Sequence, residues 1–222
     1  MLQTSTLSAS PHRRMALAAI TSGTIGILAF ILLITYLVLR SASPVTGTLM
    51  IRFHDAGVML QFLLMIPVAL GLYTILQQQP KSMSRVNLYL CIAALLFTIL
   101  FLLLGSLKVV ADTLYMFPQG IFGVWLIVVN RLMKGILSKG LRILGTIAGI
   151  GLVLVGTFPI AFALFVDPIA GFGPIPKNYV DKETLANLIV HIVLLIGSFM
   201  GVPIFPIWSI LLGRKLLKLK DK

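Results

Sequence analysis

The side chains able to do chemistry in this sequence are few and fall in three places. His54 and Asp55 are adjacent, with Gln61 seven residues beyond His54; Asp112 stands alone between two apolar runs; Asn187 and His191 lie four apart. If the last segment is helical, Thr184, Asn187, His191 and Ser198 share one face. Two imidazoles and two carboxylates are competent for divalent-metal ligation or proton transfer. No H-E-x-x-H or comparable ligand spacing ties them together. The expectation is therefore a hydrogen-bonded polar cluster of His54, Asp55, Gln61, Asp112, Asn187 and His191 near one membrane surface. Asp55, Asp112 and Asp181 are expected near helix N-termini, where negative charge is favoured. His191 lies seven residues after Thr184, about 10 Å along a helix, where an unpaired polar group is costly. It is expected to bond Gln61, Asp112 or His54 on a neighbouring helix.

Other catalytic signatures are missing from the sequence. There is no G-x-S-x-G elbow, no Gly-rich phosphate loop followed by Lys and Ser or Thr, and no pair of mid-membrane aspartates. Cys91 is the single cysteine, so neither a disulfide framework nor a thiolate metal cluster can form. The sequence marks no catalytic, metal or cofactor residue, and a membrane-embedded enzyme is the least favoured class.

The elements that must position the polar cluster are membrane helices. Hydrophobic residues make up 59% of the 222 and charged residues 11%, with a mean hydropathy of +1.06. Such a chain has no water-facing surface large enough for a soluble fold. A hydrocarbon core of about 30 Å asks for roughly 20 apolar residues per helix. Six stretches supply them: Met15 to Leu39, Gly57 to Leu76, Val86 to Leu104, Leu114 to Asn130, Ile143 to Val166 and Thr184 to Leu212. The expected fold is an all-α bundle of six transmembrane helices over 15–212, with a disordered leader over 1–14 and a basic tail over 213–222. The first stretch follows Arg13 and Arg14 as a signal peptide would, but it is far longer than the roughly 7 to 15 apolar residues of such a segment. It reads as an uncleaved span.

Charge sets the expected orientation. With the N-terminus inside, thirteen of the 18 basic residues fall in inner segments and five in outer loops, as the positive-inside rule demands of cytoplasmic termini. Among acidic residues only Asp221 falls inside, so the net charge of +12 is an inner-face charge. It points to anionic lipid headgroups as the partner of that face, and not to nucleic acid, for which no motif is present. A bacterial plasma membrane suits such a chain. Tyr36, Tyr73, Tyr89, Tyr115 and Trp208 fall near span ends, where aromatic rings favour the headgroup level, while Trp125 lies deeper.

Small residues and prolines carry the packing signals. Gly145 and Gly149 form a G-x-x-x-G pair in the fifth span, with Gly151 and Gly156 beyond, and the spacing predicts close helix contact inside the bundle. Gly23 with Gly26 and Gly120 with Gly123 read the same way. The long sixth span is expected to break around Gly201 to Pro206, since proline removes a backbone hydrogen bond. Pro67 and Pro159 sit in similar contexts, as do Asn87 and Asn187, a pattern an inverted 3+3 repeat would leave.

Gly120 to Ile127, followed by Leu137 to Gly149, resembles a hairpin of uncharacterised bacterial multi-pass membrane proteins of the domain-of-unknown-function type. The resemblance implies no activity and carries no functional residue across. The expected role is a structural or accessory membrane subunit, because ionisable residues are missing from the span centres. The bundle leaves room for a membrane-protein partner or a second copy of the chain. A small-solute or ion transporter is the alternative.

Overall fold

The structure is a computed structural model that describes residues 11–79, 82–167, 172 and 184–218. Among these, the chain forms helices α1 (Pro11–Leu39), α2 (Pro44–Gln77), α3 (Arg85–Ser106), α4 (Met116–Leu132), α5 (Lys139–Phe165), α6 (Leu185–Gly201) and α7 (Ile204–Lys218), with no strand. Five stretches are long and apolar enough to cross a membrane: His12–Leu39, Val45–Gln77, Arg85–Ser106, Lys139–Phe165 and Leu185–Lys218. Met116–Leu132 is apolar but shorter; at about 1.5 Å per residue its 17 residues cover about 26 Å, just under a bilayer core. This helix corresponds to the fourth expected stretch, Leu114 to Asn130, and falls short of the length that the other five reach.

Several helix ends differ from expectation. α2 begins at Pro44, thirteen residues before Gly57, because Pro44 suits a first turn and no further proline follows before Pro67. Arg52, His54 and Asp55 are thus helical and not part of a loop. Asp55 is no helix cap, and none of the helices carries an acidic residue in its first turn. The caps that form are hydroxyls: Ser84 accepts from the Val86 N–H at 3.2 Å, Ser138 from Leu141 at 3.4 Å and Thr184 from Asn187 at 3.2 Å. At the start of the chain, residues 11–14 of the expected leader already belong to α1. At the other end, Gly213 and Leu216 of the expected tail continue α7 and are buried. Residues 1–10, 80–81, 168–171, 173–183 and 219–222 lie outside the described set, and with them Asp181 and most of the last loop.

The break in the last span falls where proline predicts it. α6 ends at Gly201 and α7 starts at Ile204, with Pro203 between them.

Neighbouring helices form a closed ring: α1 on α2, α2 on α3, α3 on α4, α4 on α5, α5 on both α6 and α7, and α7 back on α1. α5 is the hub, and its glycines explain why. A Cβ on Gly149 would strike the Gly123 carbonyl of α4, and one on Gly156 would strike the Gly120 backbone. On another face, Gly151 lies against the Gly201 backbone, and Gly197 against the backbone of Gly151 and Val155. The glycine pattern is used inside the chain, as expected, where close backbone approach replaces a missing hydrophobic drive. Gly23 does the same against the Pro206 carbonyl and Ile210, and Gly213 against Ala16 and Ile20, which seals α1 to α7.

Trp208 is not an interfacial ring. It is fully buried and donates from Nε1 to Asn130 Oδ1 at 3.1 Å, while Asn130 Nδ2 donates to the Leu126 carbonyl at 2.8 Å. Nearby, Ser209 Oγ donates to the Ala19 carbonyl at 2.8 Å. These bonds tie α4, α7 and α1 together where lipid offers no alternative partner.

The halves of the chain share an order of neighbours but not their helices. α1 has 29 residues where α4 has 17, and α3 is continuous where α6 and α7 are bent apart. Pro67 is exposed, while Pro159 is buried. An inverted repeat would place equivalent residues alike.

Candidate functional site

The ring closes through α7, and α6 stands beside it without packing on α1. α6 packs on α5, anchored by Phe158, Phe162, Val166 and Val190, whereas α1 packs on α2 and α7. Between α1 and α6, in the half of the bundle away from the chain termini, lies a cavity of about 540 Å³. Its rim includes Ile34 and Leu37 of α1 and Ile192, Leu195 and Phe199 of α6, all exposed on the flank of the bundle. The opening therefore lies on an apolar flank of the bundle.

The inner end of the cavity is closed by aromatic rings. Phe62 and Phe205 line it and pack with Phe122 at centroid distances of 5.3 to 5.9 Å. Trp125 stacks on Phe122 at 5.5 Å and Trp208 on Phe205 at 6.2 Å. All five rings are buried. Below them the Asn130–Trp208 bond and the Ser209 contact fill the bundle.

A small set of polar groups interrupts the apolar walls: His54, Gln61, Tyr115, Gln119, His191 and Ser198. His54, on α2, is 4% exposed and its Nδ1 lies 2.9 Å from the Ala29 carbonyl of α1. Gln61 is as deeply buried; it fits because Gly26 of α1 has no Cβ to meet its amide. Ser22 Oγ donates to the Gln61 carbonyl at 3.0 Å, but the side-chain amide nitrogen of Gln61 has no partner among the described residues. A buried donor left unpaired costs about 1–3 kcal/mol, and this nitrogen is itself covered, lying against Gly26 of α1.

Of the six residues expected to form one cluster, three line this cavity: His54, Gln61 and His191. Asp55 and Asp112 sit beside it. They are close enough to each other, to Lys108 and to the cavity-lining Tyr115 to interact electrostatically, and Asp112 pairs with Lys108 at 2.6 Å on the surface. An exposed pair of this kind is worth at most about 1 kcal/mol. Asn187 does not line the cavity.

The expected bond from His191 to another helix does not form. Its Nδ1 lies 2.9 Å from the Asn187 carbonyl one turn back on α6, and its ring meets Phe158 and Phe162 of α5 edge to face at 5.5 and 6.1 Å. The local carbonyl satisfies the nitrogen before a neighbouring helix can. The two histidines should consequently differ in stability effect. His54→Leu removes an interhelical bond from a buried site and is expected to cost about 1–3 kcal/mol. His191→Leu should cost under about 1 kcal/mol, since its bond is local and its site exposed. Equal shifts of the two detergent unfolding midpoints would show that the α1–α2 bond does not matter.

Gln119, buried at the cavity wall, is not singled out by sequence reasoning, although a glutamine inside an apolar run is the same signal that marks Gln61. Phe62 and Phe205 cannot be told from the many apolar residues around them.

At the end of the bundle that carries the termini, a second cavity of about 470 Å³ lies between α5 and α7, lined by Ser138, Leu141 and Leu211 with Arg214, Lys215 and Lys218. Among the described residues, no three His, Cys, Asp or Glu side chains come together as a metal site.

The five long apolar stretches make this chain a multi-pass membrane protein. No family model, no characterised protein and no solved structure matches it.

Proposed function

We propose that the chain is a six-span accessory membrane protein, both termini cytoplasmic, which holds a lipid-soluble ligand and does not pass solute across the bilayer. The observation that carries this is the cavity: it opens sideways between α1 and α6 and stops at the Phe62–Phe122–Phe205 cluster. A conducting path would have to pass that floor, and the buried Asn130, Trp208 and Ser209 below it are hydrogen-bonded within the bundle. The bend at Pro203, beside the cavity, favours a transporter, because broken helices line transport sites. The floor of five buried rings weighs against it.

The orientation rests on thirteen basic residues against five. The basic cavity at the terminal end suits anionic headgroups of the cytoplasmic leaflet. Reporter fusions after Lys81, Lys139 and Lys222 should all score cytoplasmic, and an external signal at any of them would overturn the six-span arrangement.

Ligand holding is tested by extraction. Protein purified in mild detergent should yield about one organic-soluble molecule per chain, and Ser198→Trp, which fills the cavity from α6, should yield much less. Bare protein, or equal yields from the two proteins, would contradict the proposal.

A further inference from the structure

The cavity at the end that carries the termini is lined by two kinds of group in a fixed order. At the helix ends stand Arg214, Lys215 and Lys218 of α7 and Ser138, the cap of α5. Nearer the middle of the bundle the lining is Leu141, Leu144 and Leu211. Along α7, Lys218 lies about 10 Å from Leu211, and Ser138 lies about 9 Å from Leu144 along α5. Every polar side chain in this lining is a donor. The guanidinium and the two ammonium groups have no acceptor atom. Ser138 Oγ already accepts the Leu141 N–H at 3.4 Å, which leaves its hydroxyl hydrogen. No carboxylate lines the cavity, and α5 has no acidic residue in its first turn. Among the described residues the one ion pair is Lys108–Asp112, in the other half of the bundle. Gly140 leaves the α5 wall open, with nothing within 4 Å of the place a Cβ would take.

We propose that this cavity binds one anionic glycerophospholipid, its phosphate among Arg214, Lys215 and Lys218 and an acyl chain against Leu141, Leu144 and Leu211. A phosphodiester is the complement of such a lining, since it is negative and its oxygens only accept. The order of the lining matches the order of the lipid, with the head at the helix ends and the chain toward the bundle middle. Free phosphate would meet the cations and leave the leucines bare. A zwitterionic lipid would set its own ammonium against three cations, a repulsive arrangement. The volume of about 470 Å³ falls within the roughly 300–1,000 Å³ typical of small-molecule sites. The proposal rests on this end of the bundle meeting anionic headgroups, and it replaces a diffuse attraction by a site built from α5 and α7.

The test is a thermal-shift titration of the full chain in mild detergent with phosphatidylglycerol, phosphatidylcholine of the same acyl chains, and glycerol 3-phosphate. Phosphatidylglycerol should raise the melting midpoint, and the other two should not at the same concentration. Gly140→Glu puts a carboxylate into the open space of the cavity, at a helix start where negative charge is favoured. It should weaken phosphatidylglycerol binding at least about tenfold, the scale of one lost charge-assisted contact. Arg214→Gln with Lys218→Gln, both at exposed positions, should do the same, so the result does not hang on the folding of one variant. The control is Arg13→Gln, Arg14→Gln and Lys134→Gln together. It removes three exposed charges from the same end outside the cavity, against the single charge that Gly140→Glu adds, and should bind as the wild type does. Equal or greater loss in the control overturns the site and leaves the general attraction of this face for anionic lipid standing. Unchanged binding in both cavity variants overturns it as well. A shift with phosphatidylcholine as large as with phosphatidylglycerol overturns the choice of an anionic head, and one as large with glycerol 3-phosphate overturns the lipid in favour of a soluble phosphate. No shift with phosphatidylglycerol overturns the site outright.

Discussion

Gly156→Val is expected to lower the stability of the bundle by about 3 kcal/mol or more, the upper end of overpacking costs. A Cβ on Gly156 would meet the Cα and N of Gly120, which are backbone and cannot rotate away. The only relief is to separate α4 from α5, and α4, at 17 residues, is shorter than any of the five long apolar stretches. Gly140→Ala is the control. It stands in the same helix with nothing within 4 Å of an added Cβ, and it should leave the midpoint unchanged or raise it, since helical glycine costs roughly 0.5–1 kcal/mol against alanine. Unfolding of the two variants at the same denaturant midpoint in detergent would show that the α4–α5 contact is not held by close backbone approach.

Trp208→Ala should cost about 3–5 kcal/mol, as truncation of a buried tryptophan does. Trp208 is 0% exposed, stacks on Phe205 and donates to Asn130. The hydrogen bond separates from the packing in a cycle. Trp208→Phe keeps most of the ring but leaves Asn130 Oδ1 without its donor, at about 1–3 kcal/mol. Adding Asn130→Leu removes the stranded acceptor, so the double variant should lose less than the sum of the two singles. Strict additivity would mean that the bond contributes nothing to holding α7 against α4.

Hydropathy and charge make most of the architecture legible in the amino-acid sequence. Helix number and order, the break at Pro203 and the internal use of the α5 glycines all follow from patterns that act within one helix or between adjacent ones. Helix ends are less legible. Arg52, His54 and Asp55 interrupt the apolar run, so the first turns of α2 read as loop, although nothing there stops a helix. For Trp208 the aromatic preference for interfaces gives way to Asn130, a partner 78 residues distant in sequence. The polar cluster is half legible. His54, Gln61 and His191 do share a cavity, but the choice of partner for His191 turns on a carbonyl of its own helix, and no spacing rule ranks that bond below one across the bundle. The cavity itself arises because α6 leans on α5 and leaves α1 free, a tertiary fact without a local signal.

The closed aromatic floor separates a protein that holds a ligand from one that conducts, and cysteine accessibility tests it most directly. Cys91 is buried, so a Cys91→Ala background supports single cysteines at Ser198, in the cavity, and at Ser209, below the aromatic rings. In membranes, a lipid-soluble maleimide should label Ser198→Cys, and a membrane-impermeant maleimide added from the side of the termini should label neither. Labelling of both positions by the impermeant reagent would reveal a continuous aqueous path through the rings and contradict the closed floor.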